Sequence, residues 1–336
     1  MTLSRSALNG LLTGTTFGNV SDAMSYNGFG EMTSYSATAN GSGVFATTYT
    51  RDKLGRITQK QETIGGVTDT YAYAYDLAGR LIEVQKNTVT IAAYTYDSNG
   101  NRLSGPSAAT TYTYDDQDRL LTRASVLSTQ SYAYTANGEL TTKTNTNTNT
   151  SSTYAYDELG NLVAATLADG TQLTYLIDGQ NRRIGKKVNG TPVQGFLYQD
   201  QLKPIAELDG SGAVVSRFVY GMHVNVPDYF ITYNPSTNTI TGTYRILTDH
   251  LGSPRLVINT STNTITQRLD YDEFGNVLND TNPGFQPFGF AGGLYDRDTG
   301  LVRFGARDYD PAIGRWTAKD PIKFTGNPRG NLFEYA

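Results

Sequence analysis

The most regular feature of the chain is a nine-residue pattern that recurs from residue 49 onward: aromatic, any residue, aromatic, Asp, two residues, Gly, Arg or Asn, apolar. Its clearest copies are residues 73–81 and 154–162. Less regular copies occupy residues 49–57, 94–103, 112–120, 132–140, 175–184 and 271–277. Successive acids at Asp52, Asp76, Asp97 and Asp115 lie 24, 21 and 18 residues apart. A period near twenty predicts an array of small, similar structural units.

Each copy predicts a strand, a turn and a return strand. Tyr73 and Tyr75 are two residues apart, so both side chains point to one face of the strand. The carboxylate of Asp76 can then accept backbone N–H groups, and Gly79 can supply the positive φ of a short hairpin loop. We interpret the tyrosines as cross-strand packing residues, at about 0.2–1 kcal/mol per aromatic pair, and not as ligand-stacking residues.

Thr, Tyr, Val, Asn and Gly dominate the 336 residues, which predicts an all-β fold with little helix. A single hairpin is marginally stable, so the hairpins are expected to stack into one continuous array. The low-complexity segment Thr141–Thr153 fits either a polar hairpin or a loose loop. We favour a hairpin whose tip reaches solvent.

Composition excludes several classes of function. A net charge of −4 without a basic stripe gives no expectation of nucleic-acid binding. The chain has no Cys and only two His residues, His223 and His250, so neither a metal site nor another cofactor is expected. No apolar run approaches the roughly 20 residues of a membrane span. Residues 1–20 do not form a convincing signal peptide.

From Tyr244 onward the repeat gives way to denser motifs. These are Asp-His-Leu-Gly-Ser-Pro-Arg at 249–255, Phe-Ala-Gly-Gly-Leu-Tyr-Asp at 290–296, a segment rich in Arg and Asp at 300–311, and Ile-Gly-Arg-Trp-Thr-Ala-Lys-Asp-Pro-Ile at 313–322. We therefore expect two parts, repeats over residues 1–243 and a distinct C-terminal domain over residues 244–336.

Tyr-Asp units that end in these motifs resemble the RHS (YD-repeat) family with its RHS repeat-associated core domain. The resemblance covers essentially the whole chain and is strongest over residues 248–322. Members include bacterial polymorphic toxins, the C components of insecticidal toxin complexes and, more remotely, teneurins. The resemblance implies a β-hairpin array that winds as a curved spiral sheet around a hollow shell, with the core domain as an end plug. Because this chain is short, we expect a partial shell.

The resemblance also implies a role. Relatives enclose a toxic C-terminal segment, which here would lie beyond this chain, and secretion or toxin-complex components would be further partners. The implied location is secreted or at the bacterial cell surface. We therefore expect a shell segment that encapsulates a toxin. Residues 323–330 depart from the family's pattern, and the chain ends near the processing point of relatives, which fits either a matured or a truncated shell. The alternative is a non-enzymatic adhesion or carbohydrate-binding module that uses exposed tyrosines.

In toxin-complex members an Arg-Asp pair and a later Asp are implicated in self-cleavage, and they match Arg307, Asp308 and Asp320. Two neighbouring carboxylates can share a proton, one as base and one as acid, while an Arg keeps one ionised. This predicts a single-turnover, aspartyl-type autoproteolysis and no enzyme with repeated turnover. The alternative is a buried ion-pair network, because residues 296–320 carry five acidic and five basic residues.

Overall fold

The computed structural model describes residues 1–107, 109–320 and 331–333. Within those ranges the regular elements are strands, apart from one short 3-10 helix at Phe290–Gly292. The strands form three antiparallel sheets in which each strand pairs with its neighbours along the chain. The prediction of an all-β hairpin array is confirmed.

The first sheet contains β1 (Thr2–Arg5), β2 (Leu12–Phe17), β3 (Val20–Tyr26), β4 (Met32–Ala39), β5 (Ser42–Arg51), β6 (Ile57–Ile64), β7 (Val67–Tyr75), β8 (Leu81–Lys86) and β9 (Val89–Ala93). The second contains β10 (Thr95–Tyr96), β11 (Arg102–Ser104), β12 (Thr111–Tyr114), β13 (Leu120–Ala124), β14 (Thr129–Tyr134), β15 (Leu140–Asn145), β16 (Thr150–Tyr156), β17 (Leu162–Thr166), β18 (Gln172–Ile177), β19 (Arg183–Val188), β20 (Thr191–Tyr198), β21 (Pro204–Asp209), β22 (Val214–Val219), β23 (Tyr229–Asn234), β24 (Thr239–Thr248), β25 (Pro254–Asn259), β26 (Ile265–Tyr271) and β27 (Val277–Asp280). A third, C-terminal sheet contains β28 (Leu294–Asp296), β29 (Leu301–Phe304), β30 (Arg307–Asp310) and β31 (Arg315–Trp316).

The repeated pattern builds the turn that the sequence predicts. Tyr75 pairs with Leu81 across the hairpin, and the register shifts by a bulge between Ala74 and Tyr75. Gly79 adopts a φ of 85°, which a side chain would disfavour. The Thr-rich segment forms β15 and β16 around an exposed turn, which confirms the favoured hairpin.

The second sheet curves around the C-terminal sheet. The C-terminal sheet contacts turns and strands from β11 to β19, which would span about 38 Å in a flat sheet at the usual strand spacing. Four strands at the same spacing span only about 14 Å. If β11–β19 were flat, the smaller C-terminal sheet could not contact all of them. The strands β11–β19 therefore curve around β28–β31, which is the arrangement expected of an end plug.

The first sheet covers a different part of the second sheet. Its side chains form one apolar cluster with Leu247, Leu256 and Ile258 of β24 and β25. Two buried arginines cross this interface: Arg245 bonds Asp22, and Arg255 makes two bonds to Glu62. No described helix is long and apolar enough to cross a membrane.

Candidate functional site

The candidate site is the interface between the second sheet and the C-terminal sheet, and it is built from the repeated turns. In the turns that contain the pattern's Asp, one carboxylate oxygen accepts backbone N–H groups, as Asp157 does from Leu159 and Asn161 at 2.9 Å. The other oxygen accepts the side chain of the residue four positions on. In the Asp52 turn this partner is Arg56 at 2.7 Å, and its hydrogen bond lowers the pKa of Asp52.

Turns that contain Arg connect one repeat to the next. The Arg56 guanidinium lies 4.8 Å from the ring centre of Tyr75, which belongs to the following repeat. The Tyr75 hydroxyl donates to the carbonyl oxygen of Ile57 at 2.7 Å. Arg80 and Tyr96 repeat this arrangement, with the Tyr96 hydroxyl 2.8 Å from the carbonyl oxygen of Leu81. The second aromatic residue of the pattern is therefore a link between repeats.

Turns that contain Asn bind the C-terminal sheet instead. The amide nitrogen of Asn161 donates to Asp157 at 2.9 Å, in the place of the guanidinium. The same nitrogen donates to Asn181 of the next turn at 3.0 Å. The Asn161 carbonyl oxygen then accepts Arg303 of β29 at 2.8 Å, and Arg303 also reaches the backbone carbonyl of Asn181 at 3.1 Å. We call this arrangement the Arg303 site.

A second copy, the Arg315 site, lies near the other edge of the C-terminal sheet. Asn101 donates to Asp97 at 2.8 Å and to Asp118 of the next turn at 2.7 Å. Arg315 donates to the Asn101 carbonyl oxygen at 2.8 Å and to the backbone carbonyl of Asp118 at 2.6 Å. Asn331 also donates to Asn101, at 2.8 Å. Two related turn pairs therefore hold two arginines of the same small sheet.

Neither site was predicted from the sequence, although both share a sequence signal. In each case an Asn turn is followed by a turn in which the pattern's Gly is replaced, by Asp118 and by Asn181. Both replacements adopt positive φ, 60° and 62°. Asn and Asp tolerate this conformation better than other side chains do. Each site thus combines an Asn turn with a following turn that lacks the pattern's Gly.

Asp308 lies at the centre of a buried ion cluster. Its two carboxylate oxygens accept Arg183 at 2.9 Å and Arg303 at 2.8 Å, and its side chain is 1% exposed. Arg183 belongs to β19 and Arg303 to β29, so the carboxylate joins the two sheets. These are the contacts that the ion-network alternative predicts for Asp308.

Asp296 forms a second buried cluster. Lys186 and the Tyr175 hydroxyl each lie 2.6 Å from its carboxylate. Burial raises the pKa of Asp296, but the positive charges of Lys186 and Arg183 outweigh burial, and the resulting pKa lies below the ordinary value. Asp296 is thus held as an anion under the second sheet.

The three predicted cleavage residues fall into two groups. Arg307 forms an ion pair with Asp320 at 3.1 Å, and its guanidinium lies 4.0 Å from the ring centre of Trp316. Asp308 follows Arg307 on β30, so its side chain points to the opposite face of the strand. The structure therefore brings Arg307 and Asp320 together and places Asp308 in the buried cluster. The segment after Asp320 lies outside the described residues until Asn331.

In the described part of the chain, no cluster of three or more Asp, Glu, His or Cys residues is arranged to hold a metal ion. The arrangement has the chemistry of a docking interface, together with one partly exposed Arg–Asp pair near its edge.

Comparison with known proteins places this geometry in context. The family model described as the teneurin YD-shell matches residues 1–331. Teneurin-4 of Mus musculus is 30% identical over 279 residues, which cover 80% of this chain and 10% of that protein. Teneurin-3 of Danio rerio is 30% identical over 285 residues, which cover 82% of this chain and 10% of that protein.

A bacterial relative matches less closely. The tRNA3(Ser)-specific nuclease WapA of Bacillus spizizenii is 26% identical over 261 residues, which cover 74% of this chain and 10% of that protein. The chain thus spans about a tenth of the length of these curated relatives. Among solved structures, the Tc holotoxin pore of Photorhabdus luminescens is similar over 98% of this chain and 20% of that chain, with 15% identity and a TM-score of 0.47.

Proposed function

The chain belongs to the teneurin YD-shell family, and on this premise we propose that it is the plugged end of a longer YD-repeat shell that encloses a C-terminal toxic segment. The observation that carries the proposal is the seating of β28–β31 inside the curve of the second sheet by Arg303 and Arg315. On this proposal the docked sheet closes one end of the repeat array through its buried, charged contacts.

The bacterial nuclease relative supports the toxin part of the proposal, since a similar segment occurs there within a much longer protein. We further propose secretion or cell-surface exposure, with the chain's own C-terminal segment and secretion or toxin-complex components as partners. The division into residues 1–243 and 244–336 is also a proposal. This boundary marks where the repeated pattern ends along the sequence. It does not mark a break in the sheet, because β24 crosses it from Thr239 to Thr248 and pairs with both β23 and β25.

We propose that Arg307, Asp308 and Asp320 support one self-cleavage, with divided roles. The Asp320 carboxylate accepts a proton from water as the water oxygen bonds to the carbonyl carbon of the cleaved peptide. That proton then passes to the amide nitrogen as the C–N bond breaks. Arg307 holds the Asp320 carboxylate in position through their ion pair, and Asp308 fixes β30 in place through Arg183 and Arg303. One cut in about an hour requires a barrier of roughly 22 kcal/mol, which needs no fast catalyst.

The test is the intact mass of the natural gene product, including whatever follows residue 336. We expect a discrete fragment that ends near Ala336 in the wild type and none in Asp320→Asn, with the far-ultraviolet circular dichroism of both proteins unchanged. Asp310→Asn is the control, because Asp310 lies on β30 with Arg307 and pairs with Lys143 at 3.4 Å instead of with Arg307. Cleavage that continues in Asp320→Asn would exclude the proposed chemistry.

The adhesion alternative depends on exposed tyrosines. Tyr112, Tyr132, Tyr154 and Tyr175 of the second sheet are at most 9% exposed and pack in one cluster with Leu301 and Ile313 of the C-terminal segment. These tyrosines present no binding surface, so no observation favours this alternative over the shell.

A further inference from the structure

A small cavity between the first sheet and the second sheet collects two residue types that are rare in this chain. The sequence has four Met and two His residues. Met24, Met32, Met222, His223 and His250 all line the cavity, so it gathers three of the four methionines and both histidines. Its volume is about 30 Å³, which suits one ion or water molecule and not an organic ligand, whose sites span about 300–1,000 Å³.

The register of the first sheet brings two of the methionines together. Tyr26 of β3 pairs with Met32 of β4. Met24 lies two residues before Tyr26 and therefore shares its face, so Met24 and Met32 are diagonal neighbours, a separation that long side chains can bridge. Met32 and Met222 both pack against the apolar cluster that contains Met24. The three thioethers thus belong to one cluster.

A buried ion cluster holds Met222 beside this part of the first sheet. Arg245 of β24 pairs with Asp22 of β3 at 2.9 Å and with Asp228 at 3.3 Å. Asp228 also accepts the backbone N–H of Met222 at 2.8 Å. Because Asp22 and Met24 are two residues apart on β3, these bonds position Met222 next to the strand that carries Met24.

The two histidines line the cavity from loops of the second sheet. Nε2 of His223 lies 3.5 Å from the hydroxyl oxygen of Thr248. His250 is two residues further along the chain, and its ring centre lies 5.1 Å from that of Tyr49. Burial lowers the pKa of His223, which favours the neutral imidazole that can bind a metal. His223 is only partly buried and His250 is exposed, so solvent reaches this side of the cavity.

We propose that this cavity binds one soft monovalent metal ion, Cu(I), through methionine sulfur and histidine nitrogen atoms. Thioether ligands favour Cu(I), whereas imidazole alone would suit several divalent metals equally well. The surrounding charge also favours a cation, because Arg245 on the wall is outweighed by its two partners, Asp22 and Asp228, and by Asp249, which lines the cavity. This inference does not depend on the shell function.

The test is an anaerobic titration of the intact chain with Cu(I) in competition with the chromogenic chelator bicinchoninate. Carbon-13 NMR of the methionine methyl groups identifies the ligands. We expect one Cu(I) to bind per chain and to shift the methyl signals of Met32 and Met222. Zn(II), titrated by calorimetry, should bind at least about a hundredfold more weakly, because it gains little from thioether ligands.

Met32→Leu and Met222→Leu each keep the volume of the side chain and remove one sulfur atom. Each should weaken Cu(I) binding at least about tenfold. Ile64→Leu is the control, since Ile64 belongs to the same apolar cluster and does not line the cavity. Its affinity for Cu(I) should stay within about twofold of wild type, because the swap conserves volume and removes no ligand.

The proposal is overturned if bicinchoninate retains all the copper. It is also overturned if Met32→Leu and Met222→Leu bind Cu(I) as tightly as Ile64→Leu does, because the sulfur atoms would then not be ligands. Equal affinities of the wild type for Cu(I) and Zn(II) would likewise exclude a soft-metal site, and this comparison needs no variant to fold.

Discussion

The turns of the first sheet and those around the C-terminal sheet follow one pattern but make different contacts. At Arg56 and Arg80 the guanidinium is bound by its own Asp and stacks on a tyrosine of the next repeat. At Asn101 and Asn161 the shorter amide satisfies the Asp and exposes a carbonyl oxygen to an arginine from a distant part of the chain. A single side-chain choice thus converts a contact between repeats into a docking contact.

The two kinds of turn also differ in how deeply their ion pairs are buried, and burial determines how much free energy is lost when one partner is removed. The Arg56–Asp52 pair is 29% and 24% exposed, and pairs of this kind contribute about 0–1 kcal/mol. The Arg303–Asp308 pair is 2% and 1% exposed. Removing one partner of such a buried pair costs about 3–5 kcal/mol, because the remaining charge is left without water.

The largest expected effect comes from Arg303→Met. This change removes one of the two arginine partners of Asp308 and the arginine that Asn161 accepts, and we expect a loss of about 3–5 kcal/mol in the free energy of unfolding, measured with urea. Arg56→Met is the control and should lose no more than about 1 kcal/mol. Equal losses of unfolding free energy in Arg303→Met and Arg56→Met would contradict the claim that burial makes the docking contacts more stabilising than the contacts between repeats.

Exchanging the two kinds of turn is the next test. Asn161→Arg places a second guanidinium against Arg303, so overpacking and like charge should cost about 2–3 kcal/mol and release the C-terminal sheet. The reverse change, Arg80→Asn, should cost about 1 kcal/mol or less. Hydrogen exchange of the β28–β30 amides measures the release. Unchanged protection in Asn161→Arg would contradict the docking role of the Asn turns.

Acid should weaken the docked region through Asp296. Its folded pKa is depressed, so its contribution to stability is complete above its unfolded pKa, about 3.9, and disappears as pH falls through the lower folded value. We expect the free energy of unfolding, measured with urea as a function of pH, to lose the contribution of this group as the pH falls below about 4. Asp296→Asn should remove that part of the pH dependence, whereas Asp52→Asn on the exposed turn should change it little. If Asp296→Asn and wild type showed the same dependence of unfolding free energy on pH, Asp296 would not be the cause of the acid sensitivity.

The smallest expected effect concerns the link between repeats. Tyr75→Phe deletes the hydrogen bond to the Ile57 carbonyl and should cost about 1 kcal/mol of unfolding free energy. Tyr96→Phe deletes the equivalent bond to Leu81 and should cost a similar amount. If only one of the two variants lost stability, the second aromatic position of the pattern would not be a general link between repeats.

Much of the architecture was predictable because its causes are local. The turn of residues 76–79 depends on an Asp that accepts nearby N–H groups and on a glycine at positive φ, and both are readable in the pattern. The Thr-rich hairpin was predictable for the same reason. The candidate site was only partly predictable: the sequence pointed to Arg307, Asp308 and Asp320, but residues adjacent on a strand face opposite sides, and this separates Asp308 from the other two.

The repeat, the strand–turn–strand unit and the all-β class could be read from the amino-acid sequence, because each depends on contacts between residues that are close along the chain. Which turns receive the C-terminal sheet depends instead on contacts between distant parts of the chain. Asn161 and Arg303 are 142 residues apart, and Asn101 and Arg315 are 214 apart. No local propensity encodes such pairings. They form because the curve of the second sheet brings exposed amide oxygens and buried guanidinium groups to the same place, where each satisfies the other away from water.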